Sequence, residues 1–122
     1  VDGPSPDRIT RFIHTFEEAA RIAERVAHPA VRAMADLGQM APEKEPWTHL
    51  SAHGPIAHVH LTDTDKKVPG FGSLPWKEAF AELHRAGYDG PMSIECRWAD
   101  LAPVAAQAIG FVRDTWAAVQ SR

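Results

Sequence analysis

Ile56-Ala57-His58-Val59-His60-Leu61-Thr62-Asp63 is the stretch from which the fold is read. Gly54-Pro55 precedes it, and a polar segment rich in Gly and Pro follows. Side chains of a strand alternate between its two faces. Ala57, Val59 and Leu61 therefore share an apolar face suited to a covering helix. Ile56, His58 and His60 share the other, so two imidazoles arrive where strand gives way to loop. In parallel α/β folds, that carboxyl end of a strand is where chemistry sits.

Two further stretches repeat the design. Residues 31–36 read as a strand ending in Asp36, with Arg32, Met34 and Asp36 on one face. Residues 92–95 read as a strand ending in Glu95, followed by Cys96-Arg97-Trp98. Helix signals separate the strands. Thr15-Phe-Glu-Glu18 is a capping box, and Phe16, Ala19, Ala20, Ile22, Ala23 and Val26 recur at helical spacing until His28-Pro29. This predicts a helix over 16–27. Pro75 opens another, with Trp76, Ala79, Phe80 and Leu83 as its buried stripe and Gly87 as its stop. A last helix follows Asp100, a candidate cap, with Pro103 tolerated in its first turn.

Residues 37–54 read as a loop around Pro42, Pro46 and the charged Glu43-Lys44-Glu45, with a short helix over 48–53. Residues 62–75 form a long loop, a length that is usually functional or disordered. Asp63, Asp65, Lys66 and Lys67 read most simply as its solvated charges. Residues 1–11 offer loop composition and no strand.

Strands alternating with helices predict an α/β fold with a parallel sheet and right-handed crossovers. Three adjacent strands then carry Asp36, His60 and Glu95 to one rim, a plausible divalent-metal site. An H-x-H at a strand end is, by itself, more often structural or solvated than ligating. His58 reads first as an inward packing residue. Trp47, Trp76, Trp98 and Trp116 read as core or rim, with Trp98 close enough to Glu95 to line a pocket.

At 122 residues the chain has the length of one domain. A net charge of −3 gives no electrostatic case for nucleic acid or an anionic membrane. No apolar run approaches a membrane span. The lone Cys96 excludes an internal disulfide framework and fits a reducing, cytoplasmic compartment. The chain opens on Val1 rather than Met, so its amino end is expected to have been processed, trimmed or lost.

The stretches ITRFIHTFEEAARIAERVAHPAVRAMADLGQM and HVHLTDTDKKVPGFGSLPWKEAFAELHRAGYDGPMSIECRW resemble the carboxyl half of the sugar phosphate isomerase/epimerase family, the xylose isomerase-like TIM barrels. The resemblance runs from residue 9 to 98 and rests on the order and spacing of the HVH strand, the PGFG loop, the GYDG turn and the SIE strand. It implies a partial, half TIM barrel of about three parallel strands. It also implies a divalent cation, manganese, cobalt or magnesium, held by Glu, Asp, His and Glu on the last four strands. Mixed Asp/His/Glu ligation admits zinc as well.

Residue by residue, Asp36 matches the family's Asp, His60 its His and Glu95 its final Glu. The first Glu falls near Gly3, which cannot ligate. A second acid/base Glu falls near Ile9. Gln39 stands where relatives have a substrate-contacting His, and Lys66 where several have Arg. His58 and Trp98 complete the set of substrate-binding candidates.

The implied activity is metal-assisted proton transfer beside the carbonyl of a sugar or sugar phosphate, with Glu95 as the catalytic carboxylate. Epimerisation requires acid/base groups on both faces of the carbon. Glu95 alone could in principle support a one-base aldose–ketose isomerisation. The rival reading is a non-catalytic remnant serving as a binding or oligomerisation module. Half a barrel leaves sheet edges unpaired. The chain is therefore expected to be a fragment, to form a homo-oligomer, or to complete itself another way.

Overall fold

The computed structural model describes residues 12–122. The readings made on residues 1–11, including those at Gly3 and Ile9, lie outside the described residues. The elements run α1 (Phe16–Val26), β1 (Ala33–Asp36), α2 (Leu37–Met40), α3 (His49–Ala52), β2 (Ile56–Leu61), a 3-10 turn (Thr64–Lys66), α4 (Trp76–Arg85), β3 (Met92–Ile94) and α5 (Leu101–Gln120). The strands form one parallel sheet in the order β1-β2-β3. The result is an α/β fold built as part of a β/α barrel, with the sheet open at both edges among the described residues.

Local chemistry explains the boundaries. The Thr15 hydroxyl accepts the Glu18 N–H, and the Glu18 carboxylate accepts the Thr15 N–H, closing the capping box of α1. Two more N–H groups at that terminus, of Phe16 and Glu17, donate to the Glu45 carboxylate at 2.9 Å each. Glu45 is buried, so the Glu43-Lys44-Glu45 segment is not simply solvated loop. The helix ends where Ala27 turns left-handed at φ 51°. Gly87, at φ +71°, follows α4 in the conformation that glycine adopts without steric cost. Asp100 occupies the N-cap position of α5 but makes no side-chain capping bond.

Between β1 and β2 the loop is more structured than composition suggests. Leu37–Met40 forms a short helix capped by Asp36, and the expected helix over 48–53 is present as His49–Ala52. Leu37, Met40 and Leu50 are fully buried and fix these turns to the sheet. β1 begins at residue 33 rather than 31. β3 ends at Ile94 rather than at residue 95, although the Glu95 N–H still bonds the Leu61 carbonyl at 3.1 Å and extends the ladder.

The core lies between the sheet and its helices. Val59 and Leu61 point into it from β2, and Ala79, Phe80 and Leu83 meet them from α4. Edge-to-face contacts of Trp76 with Phe111 (5.7 Å) and of Phe80 with Trp116 (5.3 Å) tie α5 to α4. The opposite sheet face, where a barrel has its interior, carries Met34, His58 and His60 and remains partly exposed. No described helix is long and apolar enough to cross a membrane.

Candidate functional site

The register of the sheet assembles the site. Asp36 pairs with His60, and His60 pairs with Ser93, so these three positions share one face. Glu95 lies two residues beyond Ser93 and returns to that face. One ligand atom from each of Asp36, His60 and Glu95 falls within 4.8 Å of the others. His60 Nδ1 stands 2.7 Å from Glu95 Oε2 and 4.0 Å from Asp36 Oδ2.

The electrostatics of this group suit a cation. Burial raises the Asp36 carboxyl above the usual carboxylate range. Nearby His60 and the backbone N–H groups of Gln39 and Gly38 offset part of that rise, while Glu95 adds to it. Two carboxylates and an imidazole converge, and an oxygen/nitrogen donor set of this kind fits a divalent cation.

Asp36 and Glu95 line a cleft of about 320 Å³. Gln39 and Lys66 line it, as do Cys96 and Arg97. His58 and Trp98 are not among the lining residues. The His58 Nε2 pairs with Ser93 Oγ at 2.9 Å, and its ring meets His60 edge-on at 5.3 Å. His58 thus packs against the imidazole beside it. Burial pushes the Cys96 thiol pKa up.

Three supporting residues escaped the reading of the sequence. Thr62 donates its hydroxyl to the Glu95 carbonyl and so ties β2 to the end of β3. Gly38 lies against it, and a Cβ there would come within 2.6 Å of Thr62 Cβ. Asp63 is 1% exposed and anchors the loop behind the cleft. It accepts N–H groups of Thr64 (2.8 Å), Gly70 (2.9 Å) and Leu74 (2.9 Å) and the Trp76 indole N–H (2.9 Å). Burial alone raises its carboxyl, but these four donors outweigh burial and hold it below the usual range. Asp63 is thus a structural anchor and not a solvated charge. The PGFG glycines were a signal for it, because N–H groups crowd a side chain where the backbone comes close.

With the geometry in hand, comparison with known proteins gives the class. Residues 4–115 match the family described as xylose isomerase-like TIM barrel, and the chain belongs to that family. It is 31% identical over 86 residues to a D-psicose 3-epimerase of Ruminiclostridium cellulolyticum, covering 69% of this chain and 29% of that protein. A D-psicose 3-epimerase of Enterocloster bolteae matches to the same extent. The chain thus spans less than a third of the curated relatives it matches. Among solved structures, an L-ribulose 3-epimerase superposes with a TM-score of 0.83 at 17% identity, covering 92% of this chain and 45% of that one. A D-psicose 3-epimerase with D-tagatose, from Clostridium cellulolyticum H10, superposes at 0.75 and 24% identity, covering 88% and 45%. These likenesses establish the fold, a barrel of which this chain carries part.

Proposed function

We propose that the chain carries the metal-binding half of a sugar epimerase or isomerase that moves a proton beside a sugar carbonyl. The observation that supports this reading is the approach of Asp36, His60 and Glu95 within 4.8 Å at the carboxyl end of the sheet. Those residues would hold a divalent cation, manganese, cobalt, magnesium or zinc. Such a cation supplies Lewis-acid polarisation of carbonyl and hydroxyl oxygens.

The chain's own residues do the rest. Glu95 is the carboxylate that takes the proton from the carbon next to the carbonyl and returns it. His60 Nδ1, 2.7 Å from Glu95 Oε2, orients that carboxylate. Thr62 holds the Glu95 backbone in place. Gln39 and Lys66 bind sugar hydroxyls from the cleft wall. The relatives named as D-psicose and L-ribulose 3-epimerases make a ketose the expected substrate class.

Exchange of the carbon-bound proton of D-fructose or D-psicose with deuterated water, followed by NMR in the presence of Mn2+, tests the reading. Metal-dependent exchange that disappears in Glu95→Gln supports it. A chain that binds Mn2+ without exchange would instead be a metal-binding module. A chain that does neither would be the non-catalytic remnant.

A further inference from the structure

His60 projects from a sheet face that is partly open, and its side chain keeps 28% of its surface exposed. An imidazole in such a place has more than one staggered rotamer open to it. The observed rotamer sets Nδ1 2.7 Å from Glu95 Oε2 and 4.0 Å from Asp36 Oδ2. Both carboxylates approach that one nitrogen, so neither by itself fixes the plane of the ring.

A contact from the same strand does. His58, two residues earlier, meets the His60 ring edge-on, with centroids 5.3 Å apart and planes at 89°. His58 is held in turn, because its Nε2 and Ser93 Oγ are hydrogen-bonded at 2.9 Å. Ser93 is the register partner of His60 on β3, and Glu95 stands two residues beyond it. The contacts close a circuit: Ser93 to His58, His58 to His60, His60 to Glu95, and back along the chain to Ser93. Ladder hydrogen bonds fix strand register but leave side-chain torsions free. The circuit constrains those torsions on the inner face of the sheet.

Packing alone does not call for this arrangement. An apolar ring at position 58 would cover the same surface. Ser93 is exposed, so water could satisfy its hydroxyl without His58. What the bond adds is a fixed plane for the His58 ring, and an edge-to-face contact transmits that plane to its neighbour. We propose that His58, held by Ser93, is a positioning residue that sets the His60 ring for the site it shares with Asp36 and Glu95. His58 acts through His60 and does not line the cleft. The inference deepens the metal-site reading and takes its functional meaning from it, whereas the ring orientation is a property of the metal-free chain.

Two measurements on the full chain test this. In the metal-free chain at fixed pH, NMR side-chain couplings and ring-to-ring Overhauser contacts report the His60 rotamer. With Mn2+ added, calorimetry reports affinity. The wild type should hold His60 in one rotamer against His58. Ser93→Ala removes only an exposed hydroxyl. It should average the His60 rotamers and weaken Mn2+ binding about tenfold, as loss of an orienting partner does, with the thermal midpoint unchanged. Ser93→Thr keeps the hydroxyl and should restore both readouts. His58→Phe keeps a ring without the Ser93 bond and should behave like Ser93→Ala, whereas a mere packing role predicts wild-type behaviour. The two substitutions break one link, so the double variant should lose no more than either single one. The proposal is overturned if Ser93→Ala leaves the His60 rotamer as in the wild type, or if His58→Phe matches the wild type in both readouts. It is equally overturned if Mn2+ binds the wild type and Ser93→Ala with one affinity. Failure of the metal reading shows separately, as a wild-type chain that binds no Mn2+, and the rotamer measurement then still decides whether His58 and Ser93 position His60.

Discussion

Asp36 and His60 are register partners across the first strand pair, and their side chains face each other with Oδ2 and Nδ1 4.0 Å apart. The pairing couples secondary structure to site geometry. Any slip of β1 against β2 by one residue would send Asp36 to the helix face. The site is therefore as stable as the register, which buried Ala35 and Val59, paired to each other, enforce from the other face.

Asp36 also caps α2 by accepting the Gln39 N–H at 3.2 Å. Asp36→Asn keeps a capping oxygen and removes the charge. It should weaken Mn2+ binding by about tenfold or more, measured by calorimetry, with the circular dichroism spectrum retained. Asp36→Ala should add a stability loss of about 1 kcal/mol from the missing cap.

The raised pKa of Asp36 predicts a cost to the metal-free fold. A folded pKa above the unfolded value means that the native state binds the proton more tightly. Its contribution to stability then falls as pH rises through that window and stays lost at neutral pH. Asp36→Asn should accordingly raise the thermal midpoint of the metal-free chain at pH 7, and a fixed Mn2+ concentration should raise that of the wild type by more than that of the variant. A lower midpoint for the variant would contradict this account.

Asp63 has the opposite sign. Its folded pKa lies below the unfolded value, so its stabilisation is fully present above the ordinary carboxylate range, from about pH 5. It is lost as pH falls through the depressed pKa. Asp63→Ala would leave three backbone donors and the Trp76 indole without their acceptor. It should cost about 3 kcal/mol or more in denaturant unfolding at pH 7, and the difference from wild type should narrow towards pH 2.

Gly38 allows the closest approach in the site. Gly38→Ala sets a methyl 2.6 Å from Thr62 Cβ, and relief requires movement of α2 or of Thr62. The expected loss is about 1–3 kcal/mol of stability, with weaker Mn2+ binding because Thr62 holds the Glu95 backbone. Thr62→Ala, which removes the hydroxyl without a clash, should lower Mn2+ affinity with a smaller stability loss.

Much of this could be read directly from residue order. Alternation through Ile56 to Leu61, the Thr15–Glu18 capping box and the Pro75-to-Gly87 helix depend on neighbours a few positions away. Backbone geometry and side-chain periodicity therefore determine them locally. Asp36, His60 and Glu95 were legible as a group because each ends a strand, and parallel strands have a common carboxyl end. Glu45, Asp63, Thr62 and Arg97 were not. Their partners lie on other elements: Glu45 meets a helix terminus 29 residues away, and Thr62 meets a carbonyl 33 residues on. Burial of a carboxylate depends on how many N–H groups the fold turns towards it, and composition does not record that. The sequence alone determined which residues end up at the rim. Only the tertiary structure decided which charges are anchors, which face the cleft, and how closely the three donors approach, because those properties arise from contacts between segments distant along the chain.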